Sequence, residues 1–159
     1  MLSTSADTLI LGFLGRALSL ELSAVQLYST QARLVETWGL SEVAAKFSHE
    51  ASEEMAHADR IISRMLALNV APSASQLRPV RLGQNLLELL QFDLEFENEL
   101  IGLYTAASQH CARSADHDNR VFFDALLKEE QSHAFGLVNW IQELQQPAAQ
   151  LPSASIPHR

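Results

Sequence analysis

Two Glu-x-x-His pairs stand in the sequence, Glu54 with His57 and Glu130 with His133, and each follows a further glutamate, Glu21 and Glu97 respectively, by the same interval. The two sets therefore repeat at one offset, Glu21 to Glu97 and Glu54 to Glu130, and a tyrosine stands at the matching place after each upstream glutamate, Tyr28 and Tyr104. A glutamate and a histidine three apart share one face of a helix, so each pair offers a carboxylate and an imidazole in the same direction. The flanking residues fix that direction as inward. Glu21 lies midway between Leu14 and Tyr28, Glu97 midway between Leu90 and Tyr104, while Phe47 and Ile61 bracket one pair and Phe123 and Leu137 the other. Four buried carboxylates and two imidazoles without partners would cost several kcal/mol per charge. Metal ions remove the cost: two ferrous ions balance four carboxylates formally, and a diferric pair with an oxo bridge does the same. Mixed oxygen and nitrogen donors with open positions suit iron or manganese better than a closed structural zinc site. Unrelated buried acids and hydrogen-bonded core histidines are the alternative, and they leave the matched spacings without a cause.

Such a site needs helices to carry it, and the apolar residues recur at helical spacing in four stretches. Helix A is expected over about 6–36, with Leu14, Leu18, Val25 and Tyr28 inward, Ser5 as N-cap and Gly39 past its end. Helix B follows over about 42–69 behind a cap at Ser41, with Phe47, Ile61 and Met65 inward. Helix C covers about 84–111 with Leu90, Leu94, Ile101 and Tyr104 inward, and helix D about 117–145 with Phe123, Leu126, Leu137 and Trp140 inward, capped by Ser114 or Asp116. Turns of roughly five residues between A and B and between C and D make antiparallel hairpins. Val70 to Leu82, rich in Pro, Ser and Ala, is long enough to run the length of the bundle, which sets B and C parallel. The expected fold is all-α: a four-helix bundle of two hairpins joined by a long crossover over residues 1–145. A Pro-rich tail, residues 146–159, follows, and Pro147, Pro152 and Pro157 discourage a helix there.

Composition narrows the partners. With 19 Asp and Glu against 11 Lys and Arg, the net charge of -8 argues against nucleic acid and anionic membranes and leaves a surface able to attract cations. Cys111 is the single cysteine, so no internal disulfide and no four-cysteine metal site can form, which fits a cytoplasmic location. The apolar run Thr8 to Gly15 lacks the layout of a signal peptide, and no segment is expected to reach membrane-spanning length. Cys111 is expected to be inert, and His110, His117 and His158 to be surface residues.

The sequence resembles the bacterioferritins over about residues 10–145, through Glu21-Leu-Ser-Ala-Val-Gln-Leu-Tyr28, Trp38-Gly-Leu, His49-Glu-Ala-Ser-Glu-Glu-Met-Ala-His-Ala-Asp-Arg60, Asp93-Leu-Glu-Phe-Glu97 and Glu129-Glu-Gln-Ser-His133. The resemblance implies a ferritin-like fold and a ferroxidase whose two iron ions are held by Glu21, Glu54, His57, Glu97, Glu130 and His133, with Glu54 and Glu130 bridging. It implies haem b shared between two subunits, with Met55 as axial ligand, and a transit-iron role for the inner-surface pair His49 and Glu53. Fe(II) and Fe(III), O2 or H2O2, and an electron-donating ferredoxin are the implied partners, in a homo-oligomer built from dimers into a 24-subunit cage. The tail departs from the family, whose bundle is followed by a short fifth helix; here that helix is expected to be absent or broken.

Three functions remain open on sequence. The first is an iron-storage ferroxidase that deposits Fe(III) in a cage cavity. The second is a dimeric, rubrerythrin-like di-iron protein that scavenges peroxide, and the third is a haem-carrying subunit of a mixed ferritin. The acidic balance and the lack of a lysine-rich arm disfavour a Dps-like DNA protector.

Overall fold

The computed structural model describes residues 7–73 and 76–147, and four helices make up most of them: α1 Thr8–Thr37, α2 Ser41–Ala67, α3 Leu86–Arg113 and α4 His117–Gln145. No strand occurs among the described residues. Each helix starts where its sequence supplies an acceptor, α2 excepted. Asp7 caps α1 by accepting the Leu9 N–H at 2.9 Å, Asn85 caps α3 through the Glu88 N–H at 2.9 Å, and Asp116 caps α4 through the Asn119 N–H at 3.2 Å. Ser41 is the first residue of α2 rather than its cap, and Leu40 before it has no side-chain bond to give. Of the two candidates before α4, Asp116 takes the role, because Ser114 turns its hydroxyl back to the His110 carbonyl. Ser5 lies outside the described residues, as does the tail from residue 148.

The hairpin turns are tighter than expected, three residues each, Trp38–Leu40 and Ser114–Asp116. Gly39 supplies the left-handed conformation in the first, at φ 79°, and Ala115 adopts it in the second at φ 55°. Cross-bundle pairs set the directions: Tyr28 meets Glu97, Gln31 meets Asp93 and Glu21 meets Tyr104, so α1 runs antiparallel to α3. Since α1 is also antiparallel to α2 through a three-residue turn, α2 and α3 are parallel and the segment between them is a crossover. Two arginines fasten it. The Arg78 N–H donates to Ser23 Oγ at 2.9 Å, its guanidinium pairs with Glu99 and lies 5.3 Å from the Phe96 ring, and Arg81 pairs with Glu95 at 2.6 Å over the Phe92 ring.

Most of the expected inner stripe is buried, including Leu14, Leu18, Tyr28, Phe47, Ile61, Met65, Leu90, Tyr104, Phe123, Leu126 and Leu137. Leu94, Ile101 and Trp140 are half-buried at its edge. Val25 is not on the stripe: it is half-buried on the outer side of α1, beside Met55. A second correction concerns α1 as a whole, which is long and apolar enough to cross a membrane by length and composition. Leu20, Leu22 and Val25 extend its apolar surface beyond the core stripe, while its inner face packs into the bundle and carries Glu21.

Candidate metal centre

Each helix contributes near its middle, and the six acidic and imidazole side chains singled out by spacing converge there. Glu21, Glu54, Glu97 and Glu130 are fully buried, and His57 is nearly so. They form two overlapping groups. One oxygen or nitrogen from each of Glu21, Glu54, His57 and Glu130 lies within 4.8 Å of the others, and the same holds for Glu54, Glu97, Glu130 and His133. Glu54 and Glu130 belong to both.

Both rings aim Nδ1 at the carboxylates. His57 Nδ1 is 2.7 Å from Glu130 Oε1 and 3.2 Å from Glu54 Oε2, while His133 Nδ1 is 3.1 Å from Glu54 Oε1 and 3.5 Å from Glu130 Oε2. The rings lie nearly parallel, their centroids 5.8 Å apart. Each outer nitrogen faces a second glutamate, His57 Nε2 at 3.4 Å from Glu129 and His133 Nε2 at 2.6 Å from Glu53. Such partners orient a ligand histidine and fix its tautomer. The upstream glutamates are steadied by the tyrosines of the other half: Tyr28 donates to Glu97 Oε1 at 2.7 Å, and Tyr104 to Glu21 Oε1 at 2.5 Å.

The donor set fits a pair of cations. Glu21 Oε2, Glu97 Oε2 and both oxygens of Glu130 are buried without an aligned hydrogen-bond donor, a deficit that a bound metal ion makes good. Without metal, protons share the cluster. Burial raises Glu21 and Glu97 well above the usual carboxylate range, and contact with Glu54 and Glu130 respectively adds to it. Burial also opposes charge on His57 and His133, but hydrogen bonds led by Glu130 outweigh it and push them up to about 12 and about 11. Glu54 and Glu130 fall below the usual range despite burial, since the neighbouring carboxyls of Glu21 and Glu97 respectively and both imidazoles lower them.

Met55 follows Glu54 by one helical step and faces outward, 38% exposed. It lines a groove of about 300 Å³ with Val25, Ser29, Ala51 and Ser52. Small neighbours leave the thioether accessible, so the residues present fit an axial ligand to a flat macrocycle. His49 Nε2 is 2.9 Å from Glu53 Oε1 on the surface, and Glu53 thus stands between His49 and His133. Of the histidines expected at the surface, His117 is exposed. His110 is half-buried against Phe13, with Nε2 2.6 Å from Asp7 Oδ2, because the start of α1 packs beside the end of α3; His158 lies outside the described residues.

Comparison with known proteins gives one consistent answer. The chain matches the ferritin-like domain family over residues 12–146. Bacterioferritin from Rhodobacter capsulatus is 39% identical over 127 residues, 80% of this chain and 79% of that one. The chain belongs to the bacterioferritin family. Bacterioferritin from Brucella melitensis is 37% identical over 76% of this chain and 74% of its own. A bacterial ferritin from Synechocystis is 36% identical over 80% and 83%. A solved structure of Rhodobacter capsulatus bacterioferritin, with a metal-free dinuclear site and haem iron in a crystallographic special position, superposes with a TM-score of 0.84 at 36% identity, over 88% of each chain.

For this member of the bacterioferritin family, spacing identified the inner six groups and the resemblance singled out Glu53 with His49, but neither placed Glu53 and Glu129 behind the histidines. A signal existed: Glu53 and Glu129 are themselves related by the offset of the repeat, and each precedes the glutamate of a Glu-x-x-His pair. Glu50, which approaches His133 Nδ1 at 3.6 Å, has Leu126 at the matching position, so the repeat could not reveal it.

Proposed function

We propose that the chain stores and detoxifies iron, oxidising Fe(II) to Fe(III) at the mid-bundle site of each subunit and passing it to a cage cavity. The observation that supports this reading best is the pair of four-residue groups sharing Glu54 and Glu130. In this reading Glu21 and His57 would hold one ion and Glu97 and His133 the other, with Glu54 and Glu130 shared between the two groups. The iron pair supplies two electrons: O2 takes them with two protons to give H2O2, or H2O2 takes them with two protons to give two waters. The chain's own groups do the rest. Tyr104 and Tyr28 hold Glu21 and Glu97 in orientation, Glu53 accepts from His133 Nε2, and Glu129 stands 3.4 Å from His57 Nε2, so that Nδ1 of each ring stays free to bind. Burial of the four carboxylates keeps water from competing for open positions.

Mixing the protein with Fe(II) in air tests the reading: a fast oxidation phase is expected, and Glu97→Ala or Glu130→Ala should remove it. An unchanged rate in both variants would refute a ferroxidase role for these residues. Met55 on its outer groove would supply a thioether to a haem shared between two subunits, which would add one-electron redox chemistry to the assembly. Reconstituted protein should then show a bis-methionine spectrum that Met55→Leu abolishes. The family and the absence of a positioned disulfide partner for Cys111 agree with a cytoplasmic home. Release of stored Fe(III) needs a one-electron donor, for which a ferredoxin is the proposed partner.

A further inference from the structure

The two halves of the site repeat along the chain, yet they are not closed alike. Three residues after His57 stands Arg60, whose guanidinium pairs with Glu129 at 2.5 Å, and Glu129 in turn covers His57 Nε2 at 3.4 Å. The matching position after His133 is Gly136. No side chain fills that place: a Cβ added to Gly136 would meet no atom within 4 Å. A cavity of about 480 Å³ opens there between α2 and α4, walled by Phe47, Leu137 and Trp140 and reaching Tyr28 and His133. Accordingly His133 keeps 13% of its side chain exposed, against 5% for His57 and none for the four carboxylates.

The walls favour an apolar visitor, whereas the rim carries Glu50, which with Glu53 and His133 forms a further group able to hold a metal ion. Apolar and aromatic surface offers nothing to replace the hydration shell of a divalent cation. At the rim the Lys46 ammonium lies 4.7 Å over the Trp140 ring, which sets a positive charge beside Glu50 and His49. We propose that this cavity is the entrance by which dioxygen reaches the metal pair, and that Gly136 is the residue that keeps it open. The inference rests on the di-iron reading above, and it assigns the oxidant to the His133 side because Arg60 shuts the other.

Gly136→Leu fills the cavity without meeting a neighbour at its Cβ. In oxidation assays of the full protein the KM for O2 should rise by about fivefold or more while kcat at saturating O2 changes little. Anaerobic binding of Co(II), followed by its visible spectrum, should keep its rate and its two ions per chain. Wild-type crystals pressurised with xenon should hold xenon beside Gly136, and the variant crystals should not. Absence of xenon from the wild-type cavity, an unchanged KM for O2, or Co(II) entry slowed as much as oxidation would each overturn the proposal. So would a fall in the H2O2-driven rate alone, which would give the entrance to peroxide. Should the wild-type protein fail to oxidise Fe(II) at all, the ferroxidase reading falls, and xenon still decides whether the cavity admits a small apolar molecule.

Discussion

At the residue scale, the upward pKa shifts of Glu21, Glu97, His57 and His133 move the cluster toward neutrality before metal binds. Burial favours the protonated forms of Glu21 and Glu97, while contact with Glu54 and Glu130 favours protonated His57 and His133 and keeps those two carboxyls below the usual range. Two divalent ions can replace two carboxyl protons and two imidazolium protons with no change in net charge, so loading two Zn(II) per chain near pH 7 should release about four protons. Indicator dye or a pH-stat reads this directly; release of one proton or none would mean that the cluster enters the reaction already ionised. The sign for pH follows: affinity rises as pH rises, because protons compete for the same imidazole and carboxylate atoms that bind the metal. The six groups were legible because a buried carboxylate on an apolar stripe breaks the helical pattern twice at one offset. Glu129 sits a single step off that stripe, where a glutamate looks like ordinary surface, and Glu53, read with His49 as a transit-iron candidate, is turned onto His133 only by the fold.

At the scale of the helices, the contact between α1 and α3 holds a second polar pair. Gln31 Nε2 donates to Asp93 Oδ1 at 2.6 Å, both residues are buried, and Asp93 Oδ2 has no partner. Burial, opposed by the Gln31 bond and aided by Glu50, raises Asp93 well above the usual range. A carboxyl raised on folding binds more protons folded than unfolded, so its contribution to stability is present near its unfolded value of 3.8 and is lost as pH rises toward its folded value. Asp93→Asn cannot titrate and should flatten that decline by up to about 1.4 kcal/mol per pH unit within the window. Chemical denaturation at pH 5 and pH 8 measures it, and an unchanged pH slope would place the proton elsewhere. Helix number, order and extent followed from apolar period, with ends within a few residues. The turns were overestimated, because an Ala at positive φ closes one of them in three residues and propensity gives no sign of it. Arg78 and Arg81 are legible only as charges; that they clasp α3 and stack on Phe96 and Phe92 depends on the path of the crossover.

At the scale of the whole molecule, the near twofold repeat of the chain is what brings four carboxylates to one level, and storage depends on how many chains then enclose a cavity. Light scattering on the native protein should give a mass near 24 chains for the cage; a mass near two chains would favour a dimeric di-iron redox protein instead. The half-buried apolar residues on the outer side of α1, with Met55 beside them, are the surface such a dimer would cover. Assembly is the least legible property in the sequence, because it depends on surfaces whose residues need no special pattern to fit one another.

Chemistry that turns O2 into peroxide exposes a protein to damage by its own product. Cys111 is the one sulfur here that such a product could carry to an irreversible acid, and it is fully buried near the end of α3, the helix that also carries Glu97. Burial, with Asp116, Asp124 and Asp7 nearby, pushes its thiol up to about 11, so almost none is thiolate at neutral pH. A buried thiol that stays protonated is a poor target for peroxide in the folded chain, and it meets such an oxidant only where the chain unfolds.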